Sequence, residues 1–242
     1  MNSETRFLCQ TNRQMIPYSE NDKKIIAFIS IASGLLALSC LLVGLEATQY
    51  DAEAFANPVK LLDMHGVNTT HLRWFMLLDL FGYYLLLLPI IFFVHQKLKS
   101  KTAWASLFTS LGFGYVFIGA IGAAVLAVLW PALLERYGMA TAAMQDVYKA
   151  EFLFSNDFVV KGLWNYLEVL LGGLWWLSVS YFVIEQRVLK IITFVLGVAC
   201  LVDAFGEFIQ LSVMAEIGLN IYLILGIVWP IWIGITVLKN KL

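Results

Sequence analysis

Charge is scarce in this chain. Asp, Glu, Lys and Arg make up 14% of its 242 residues, whereas soluble domains carry about 25%. The net charge is −1 and no basic stripe is present, which argues against binding to nucleic acid. Apolar residues replace the missing charges: 60% of the chain is hydrophobic, 14% is aromatic, and the mean hydropathy is +0.79. The composition therefore predicts a polytopic membrane protein.

Cysteine and histidine are also few. None of the three cysteines belongs to a Cys-x-x-Cys motif, which argues against a zinc or thiol-redox site. A haem or zinc site in a bundle needs histidines at one depth on facing helices, and His65, His71 and His95 do not offer that. The chain also lacks a Gly-rich phosphate loop, a nucleophile elbow and a His-Glu-x-x-His motif. A nucleophilic hydrolase is thus not expected, and the sequence identifies no cofactor.

Long apolar segments, by contrast, are abundant. Six segments of about 20 residues have the length that a helix needs to cross about 30 Å of hydrocarbon. They predict an all-α, six-span membrane domain over residues 25–238, between a polar tail at 1–24 and a short end at 239–242. The predicted spans lie near 25–45, 74–94, 103–130, 161–184, 190–213 and 218–238. The charged leader is too long for a cleavable signal peptide, so the first segment is expected to remain as a span.

The distribution of lysine and arginine predicts the orientation. Of 16 such residues, 11 lie in the N-terminal tail, in the short segments 95–102 and 185–190, and at the C-terminal end. The other five belong to the long loops 46–72 and 131–160 and their helix edges. Because loops on the cytoplasmic side are enriched in Lys and Arg, both termini are expected in the cytoplasm, with the chain in the inner or plasma membrane.

The two long loops are expected to carry helices of their own. Between Leu133 and Tyr148, apolar side chains recur at helical spacing among charged ones, which is typical of an amphipathic helix at a membrane interface. Residues from Pro58 to Met64 predict a shorter helix in the first loop. Such helices would pack on the outer end of the bundle or act as lids over it.

Four carboxylates fall inside the predicted spans: Asp79, Glu168, Asp203 and Glu207. An ionisable group in hydrocarbon costs a few kcal/mol, so it usually faces a protein interior or a wet cavity. At about 1.5 Å of rise per residue, three of the four lie roughly 8–10 Å below the same membrane edge, and Asp203 lies one turn deeper. This convergence is the main functional clue in the sequence.

Other polar side chains are expected to join the acids in one pocket, open to the outside and closed to the cytoplasm. The predicted ligand-binding residues are Asp79, Tyr83, Asn165, Glu168, Asp203, Glu207, Gln210 and Asn220. Arg73 and Lys161 are expected at the pocket rim. Since the acids outnumber the nearby cations, at least one of them is expected to hold a proton near neutral pH.

Several functions fit such a pocket. The first is binding of a proton, a cation or a small polar ligand, in a small transporter. The second is a non-catalytic membrane subunit that binds a lipid, a pigment or a protein partner. The third, least favoured, is an intramembrane enzyme in which Asp203 and Glu207 act as general acid and base on a lipid headgroup. The expected partners are the lipid bilayer and either further copies of this chain or a larger membrane complex.

Two alternatives concern the acids themselves. All four carboxylates together would suit a cation better than the histidines do. In a purely structural interpretation, Arg73 and Lys161 instead pair with Asp79 and Glu168, and Asn165, Gln210 and Asn220 hydrogen-bond across helices. The glycines of span three have a separate role, because small residues let helices approach closely. These glycines are Gly112, Gly114, Gly119 and Gly122.

Overall fold

The structure is a computed structural model, and it describes residues 18–242 except 52, 55, 56 and 65. Most of the predicted tail at 1–24 therefore lies outside the described residues, as does His65. Within the described residues all regular secondary structure is helical. The predicted fold class, an all-α membrane bundle, is confirmed.

The helices follow one another with short connections. They are α1 (Glu20–Ala47), α2 (Pro58–Asp63), α3 (Thr69–Asp79), α4 (Leu88–Lys99), α5 (Ala105–Met139), α6 (Ala142–Asn156), α7 (Val169–Phe182), α8 (Arg187–Phe208) and α9 (Ser212–Leu238). The first π-helical segment, Leu80–Tyr84, continues through a 3-10 turn at Leu85–Leu87 to connect α3 with α4. The second π-helical segment, Asp157–Glu168, connects α6 with α7.

Five helices of the described part are long and apolar enough to cross a membrane. They are Glu20–Ala47, Thr69–Lys99, Ala105–Met139, Arg187–Phe208 and Ser212–Leu238. The fourth predicted span, near 161–184, falls instead on the second π segment and α7, which have 12 and 14 residues. The membrane bundle is thus established, whereas the count of six spans stays a prediction.

Six helical columns of the described part form a closed ring. Each packs against two neighbours, in the order α1, α3 with α4, α5, the second π segment with α7, α8 and α9, and α9 returns to α1. Large apolar side chains, among them Phe28, Phe117 and Ile224, are more than half exposed on the outer surface of this ring. Such extensive exposed apolar surface is typical of a protein that faces lipid.

Local sequence explains where α1 begins and where α4 restarts after an irregular segment. The Ser19 hydroxyl accepts a hydrogen bond from the backbone N–H of Asp22, and the Asp22 carboxylate accepts one from the backbone N–H of Ser19. This capping box starts α1. Pro89 lies in the first turn of α4, where a missing N–H costs no helical hydrogen bond. The irregular stretch Leu80–Leu87 therefore ends where the regular helix can restart.

Both long loops carry helices, as predicted, and they cover one end of the ring. We call this the long-loop end; the short-loop end bears the connections at 100–104 and 183–186. Helices α2 and α6 contact each other, and apolar side chains that include Leu61, Leu133 and Phe152 form a separate cluster beneath them. One detail differs from the prediction: α5 runs on to Met139, so the break at 140–141 interrupts the amphipathic pattern.

An ion pair ties α2 to the preceding loop. The Lys60 ammonium lies 2.8 Å from the Asp51 carboxylate and 2.7 Å from that of Glu53. The hydrogen bond from Lys60 holds the pKa of Asp51 below its usual value.

Single cysteines can test the predicted orientation, in a variant with alanine at Cys9, Cys40 and Cys200. In intact cells we expect a membrane-impermeant thiol reagent to label Thr141→Cys at the long-loop end and to spare Ser100→Cys at the short-loop end. Both positions are exposed, so burial does not limit labelling. The reverse pattern would overturn the orientation, and lysed cells provide the control in which both cysteines react.

Candidate functional site

Glu168 lies inside the ring, with 1% of its surface exposed. It is the last residue of the second π segment. The hydroxyl of Tyr84, which ends the first π segment, lies 3.0 Å from its Oε2, and the hydroxyl of Tyr222 on α9 lies 3.1 Å from its Oε1. One carboxyl group therefore connects three columns of the bundle.

Tyr115 of α5 extends this network to a fourth column. Its hydroxyl lies 2.9 Å from that of Tyr222 and 3.0 Å from the backbone carbonyl oxygen of Tyr83. We call Tyr84, Tyr115, Glu168 and Tyr222 the Glu168 cluster. All four side chains are buried.

Two further acids lie within electrostatic range of Glu168: Asp79 and Asp203. Asp79 immediately precedes the first π segment and is 8% exposed, and Asp203 on α8 is 0% exposed. Neither carboxyl oxygen of Asp203 has a hydrogen-bond partner among the described residues, and Oδ2 of Asp79 also lacks one. No ion pair of the described residues involves any of these three acids.

Tryptophans close the side of the cluster that faces the short-loop end. The ring of Trp176 lies 4.7 Å from that of Tyr115 and 6.0 Å from that of Trp229, measured between centroids. Trp175 also packs against Trp229, at 5.7 Å. These rings exclude water from that side, so the carboxyl groups lie in surroundings of low polarity.

The glycines of span three make room for this aromatic packing. A methyl group at Gly119 would overlap the ring of Tyr84, and one at Gly112 would lie 2.9 Å from Trp175. The predicted role of these glycines in close packing thus holds, but their partners are side chains, mostly aromatic rings and Leu171 at Gly114, rather than the backbone of a neighbouring helix. Helix backbones do approach closely elsewhere, where Gly173 of α7 meets Gly197 of α8.

Other predicted pocket residues make no hydrogen bond to the Glu168 cluster among the described residues. Asn165 is buried and its amide donates a hydrogen bond to Glu207 at 3.3 Å, while Glu207 itself is half-buried. Gln210 is exposed in the turn after α8, with a positive φ of 57°. Asn220 is also exposed and donates to the carbonyl oxygen of Glu216. Gln210 and Asn220 are therefore not brought together with the buried acids.

The two predicted rim cations do not neutralise the acids. Lys161 is exposed and pairs with Asp157 at 2.7 Å, and Arg73 is exposed without an ion pair to any described residue. The pairs required by the purely structural interpretation, Arg73 with Asp79 and Lys161 with Glu168, are not formed. Tyr83 is buried, but its hydroxyl donates to the carbonyl oxygen of Leu223 rather than to an acid.

The predicted ligand-binding residues do not include the three tyrosines of the cluster, which are Tyr84, Tyr115 and Tyr222. In a regular helix Asp79 shares a face with Tyr83, four residues on. The first π segment pairs residues five apart, with the N–H of Leu85 bonded to the carbonyl oxygen of Leu80. This register turns Tyr84 toward Glu168. Pro89 is the signal in the sequence that the helix is irregular there.

The acids are enclosed, whereas the sequence predicts an open pocket. The described chain has clefts of about 520 and about 640 Å³ on its surface, and neither is lined by Asp79, Glu168 or Asp203. Nor do three His, Cys, Asp or Glu side chains of the described residues converge in a way that could hold a metal ion. Glu168 and Asp203 are therefore shielded from the bulk solvent.

A fold does not specify a function, so the function must be inferred from the Glu168 cluster and the acids near it. Comparison of the chain with protein-family models, with curated proteins and with solved structures found no match.

Proposed function

We propose that this membrane protein binds and exchanges a proton at Glu168, with Asp79 and Asp203 as neighbouring proton carriers. Uptake and release of the proton would be coupled to movement of the helical columns, as in a small proton-coupled transporter.

The observation that carries the proposal is a count of hydrogens. The Glu168 cluster makes four close oxygen–oxygen contacts: Tyr84 with Glu168, Glu168 with Tyr222, Tyr222 with Tyr115, and Tyr115 with the carbonyl of Tyr83. Each contact needs one hydrogen, but three tyrosine hydroxyls supply only three. A proton on Glu168 completes the set.

The resulting chain has one direction. Tyr84 donates to Glu168, protonated Glu168 donates to Tyr222, Tyr222 donates to Tyr115, and Tyr115 donates to the backbone. If Glu168 were ionised, both Tyr84 and Tyr222 would donate to it. Tyr115 would then share its single hydrogen between two acceptors, and one contact would lose its bond.

The energy of buried charge supports the same state. Three ionised carboxylates with no cation beside them would cost several kcal/mol in the membrane interior. Protonation removes those charges. The gain in stability should be largest at Asp203, because neither of its carboxyl oxygens has a hydrogen-bond partner among the described residues. A metal ion is a poorer fit, because no three ligand side chains of the described residues converge.

The two π segments support coupling to motion. Asp79 adjoins one and Glu168 ends the other, and π-helical turns are frequent at functional sites. Loss of the proton from Glu168 would remove one bond of a chain that joins four columns. The enzyme alternative has less support, because Asp203 is fully buried, away from any lipid headgroup.

Infrared spectroscopy of protein labelled with ¹³C-glutamate tests the protonation state. At neutral pH we expect a C=O stretch from a protonated glutamic acid that is lost in Glu168→Gln. The exposed residue Glu151 provides the control, since Glu151→Gln should leave the band unchanged. Wild-type protein without such a band, or a band that persists in Glu168→Gln, would overturn the proposal.

The pH dependence of stability provides a second test. If the buried acids hold protons when the protein is folded, the folded state binds more protons than the unfolded state at neutral pH. The free energy of unfolding should then fall as pH rises toward alkaline values. We expect a weaker dependence in Asp203→Asn than in the control Asp146→Asn, which changes an exposed aspartate. Equal slopes in thermal unfolding would contradict a proton on Asp203.

A further inference from the structure

A cleft of about 640 Å³ opens at the long-loop end, between α3 and α5. Its polar part includes Arg73 and Glu135, and its apolar part includes Leu77 and Val128. It is separate from the Glu168 cluster, none of whose side chains lines it.

Arg73 is an uncommitted cation. Its side chain is exposed, and it makes no hydrogen bond or ion pair with the described residues. A guanidinium group presents five N–H donors in a planar fork, which matches the oxygens of a phosphate. Arginine is therefore better suited than lysine to hold a phosphodiester in this cleft.

Glu135 adds one negative charge to the same cleft. Its Oε1 accepts a hydrogen bond from the hydroxyl of Thr69 at 2.8 Å, and its Oε2 accepts none from the part of the chain that the structure describes. A single cation and a single anion complement a zwitterion. A ligand with only a negative charge would meet the carboxylate of Glu135 as well as the guanidinium of Arg73.

The apolar part of the cleft lies deeper along both helices. Leu77 follows Arg73 by one turn, about 6 Å, and Val128 precedes Glu135 by about 10 Å. Val128 is 66% exposed, and the neighbouring Trp74 is also exposed, as tryptophans at a membrane interface commonly are. The charged groups, Arg73 and Glu135, thus lie at the level of a lipid headgroup, and the apolar groove below them has room for an acyl chain.

We propose that this cleft binds a zwitterionic phospholipid. The phosphate lies on Arg73, the primary ammonium of a phosphatidylethanolamine headgroup on Glu135, and an acyl chain along Leu77 and Val128. This site does not depend on the proton-binding function proposed for Glu168.

The test uses the purified full chain in mixed micelles that contain either phosphatidylethanolamine or phosphatidylglycerol with identical acyl chains. Native mass spectrometry counts the retained lipid, and thermal unfolding reports binding, because a ligand of the folded state raises stability. For phosphatidylethanolamine we expect binding about tenfold weaker in Arg73→Gln, which loses charge-assisted hydrogen bonds. The matched control is Arg136→Gln, an exposed arginine on the same end that does not line the cleft.

The Glu135→Gln variant tests the recognition of the ammonium group. It should bind phosphatidylglycerol more tightly than the wild-type chain does, because the repelling charge is gone. Wild-type protein that retains phosphatidylglycerol as well as phosphatidylethanolamine would overturn the zwitterion assignment. Equal retention by Arg73→Gln and Arg136→Gln would overturn the site itself.

Discussion

Gly119→Ala is expected to destabilise the folded protein by about 1–3 kcal/mol, the usual cost of overpacking a core. The added methyl group would overlap the ring of Tyr84, which cannot move without breaking its contact with Glu168. Reversible unfolding of the purified protein in mixed micelles measures the change in the free energy of unfolding.

Gly138→Ala is the matched control in the same helix. Nothing lies within 4 Å of a methyl group at that position. Alanine is also the better helix former by up to about 1 kcal/mol, so this variant should be as stable as the wild type or slightly more stable. Equal stabilities of the two alanine variants would contradict the close contact between Gly119 and the Tyr84 ring.

A second variant identifies the side chain that causes the strain. In a Tyr84→Ala background the ring is absent, so Gly119→Ala should cost less than it does in the wild-type chain. The difference is the coupling free energy of a double-mutant cycle, and contacting residues typically give about 0.5–3 kcal/mol. Strict additivity would show that the methyl group meets something other than Tyr84.

Glu168→Ala is expected to lower the free energy of unfolding by about 2–5 kcal/mol, while Glu168→Gln lowers it by less than about 1 kcal/mol. Alanine leaves a cavity and removes the partner shared by Tyr84 and Tyr222. Glutamine has nearly the same shape, and its amide reproduces the hydrogen bonds of a protonated acid. The carbonyl oxygen accepts from Tyr84, and the N–H donates to Tyr222.

The pH dependence of the glutamine variant distinguishes the two charge states of Glu168. Because an amide does not titrate, the fall in the free energy of unfolding with rising pH should be smaller in Glu168→Gln than in the wild-type chain if the wild-type acid holds a proton. A pH dependence equally steep in the two proteins would contradict the proton-binding proposal. Glu151→Ala, at an exposed position, should change stability by less than about 0.5 kcal/mol.

Two features could be predicted from the sequence: the helical membrane bundle and the position of each acid along its helix. The apolar segments predict a helical membrane bundle, and the number of residues from each segment's end places Asp79 and Glu168 at similar depth. Both conclusions depend only on position along a helix axis, which rises by about 1.5 Å per residue whatever the helix packs against. The structure buries Asp79, Glu168 and Asp203. Glu207, which the sequence places at the depth of Asp79 and Glu168, is half-buried and accepts a hydrogen bond from Asn165.

The direction in which a side chain points could not be predicted, because it depends on the local helical register. One inserted residue, as in a single π turn, rotates everything beyond it by about 100°. Tyr84 rather than Tyr83 therefore bonds to Glu168. The end of a helix also depends on local structure. Gln210 has the same helical spacing as Asp203 and Glu207, but α8 ends at Phe208, so the Gln210 side chain lies at the surface.

The sequence by itself determined that this protein is a helical membrane bundle, since composition requires no knowledge of neighbouring helices, and it predicted acids at a common depth from the axial rise alone. Only the tertiary structure decided which groups meet those acids. Tyrosines from two other columns bond to Glu168, and Tyr115 from a third bonds to Tyr222. Arg73 and Lys161 lie elsewhere, on an open cleft and beside Asp157. The physical reason is that contacts between columns depend on helix rotation and packing, which a pattern along one chain does not contain.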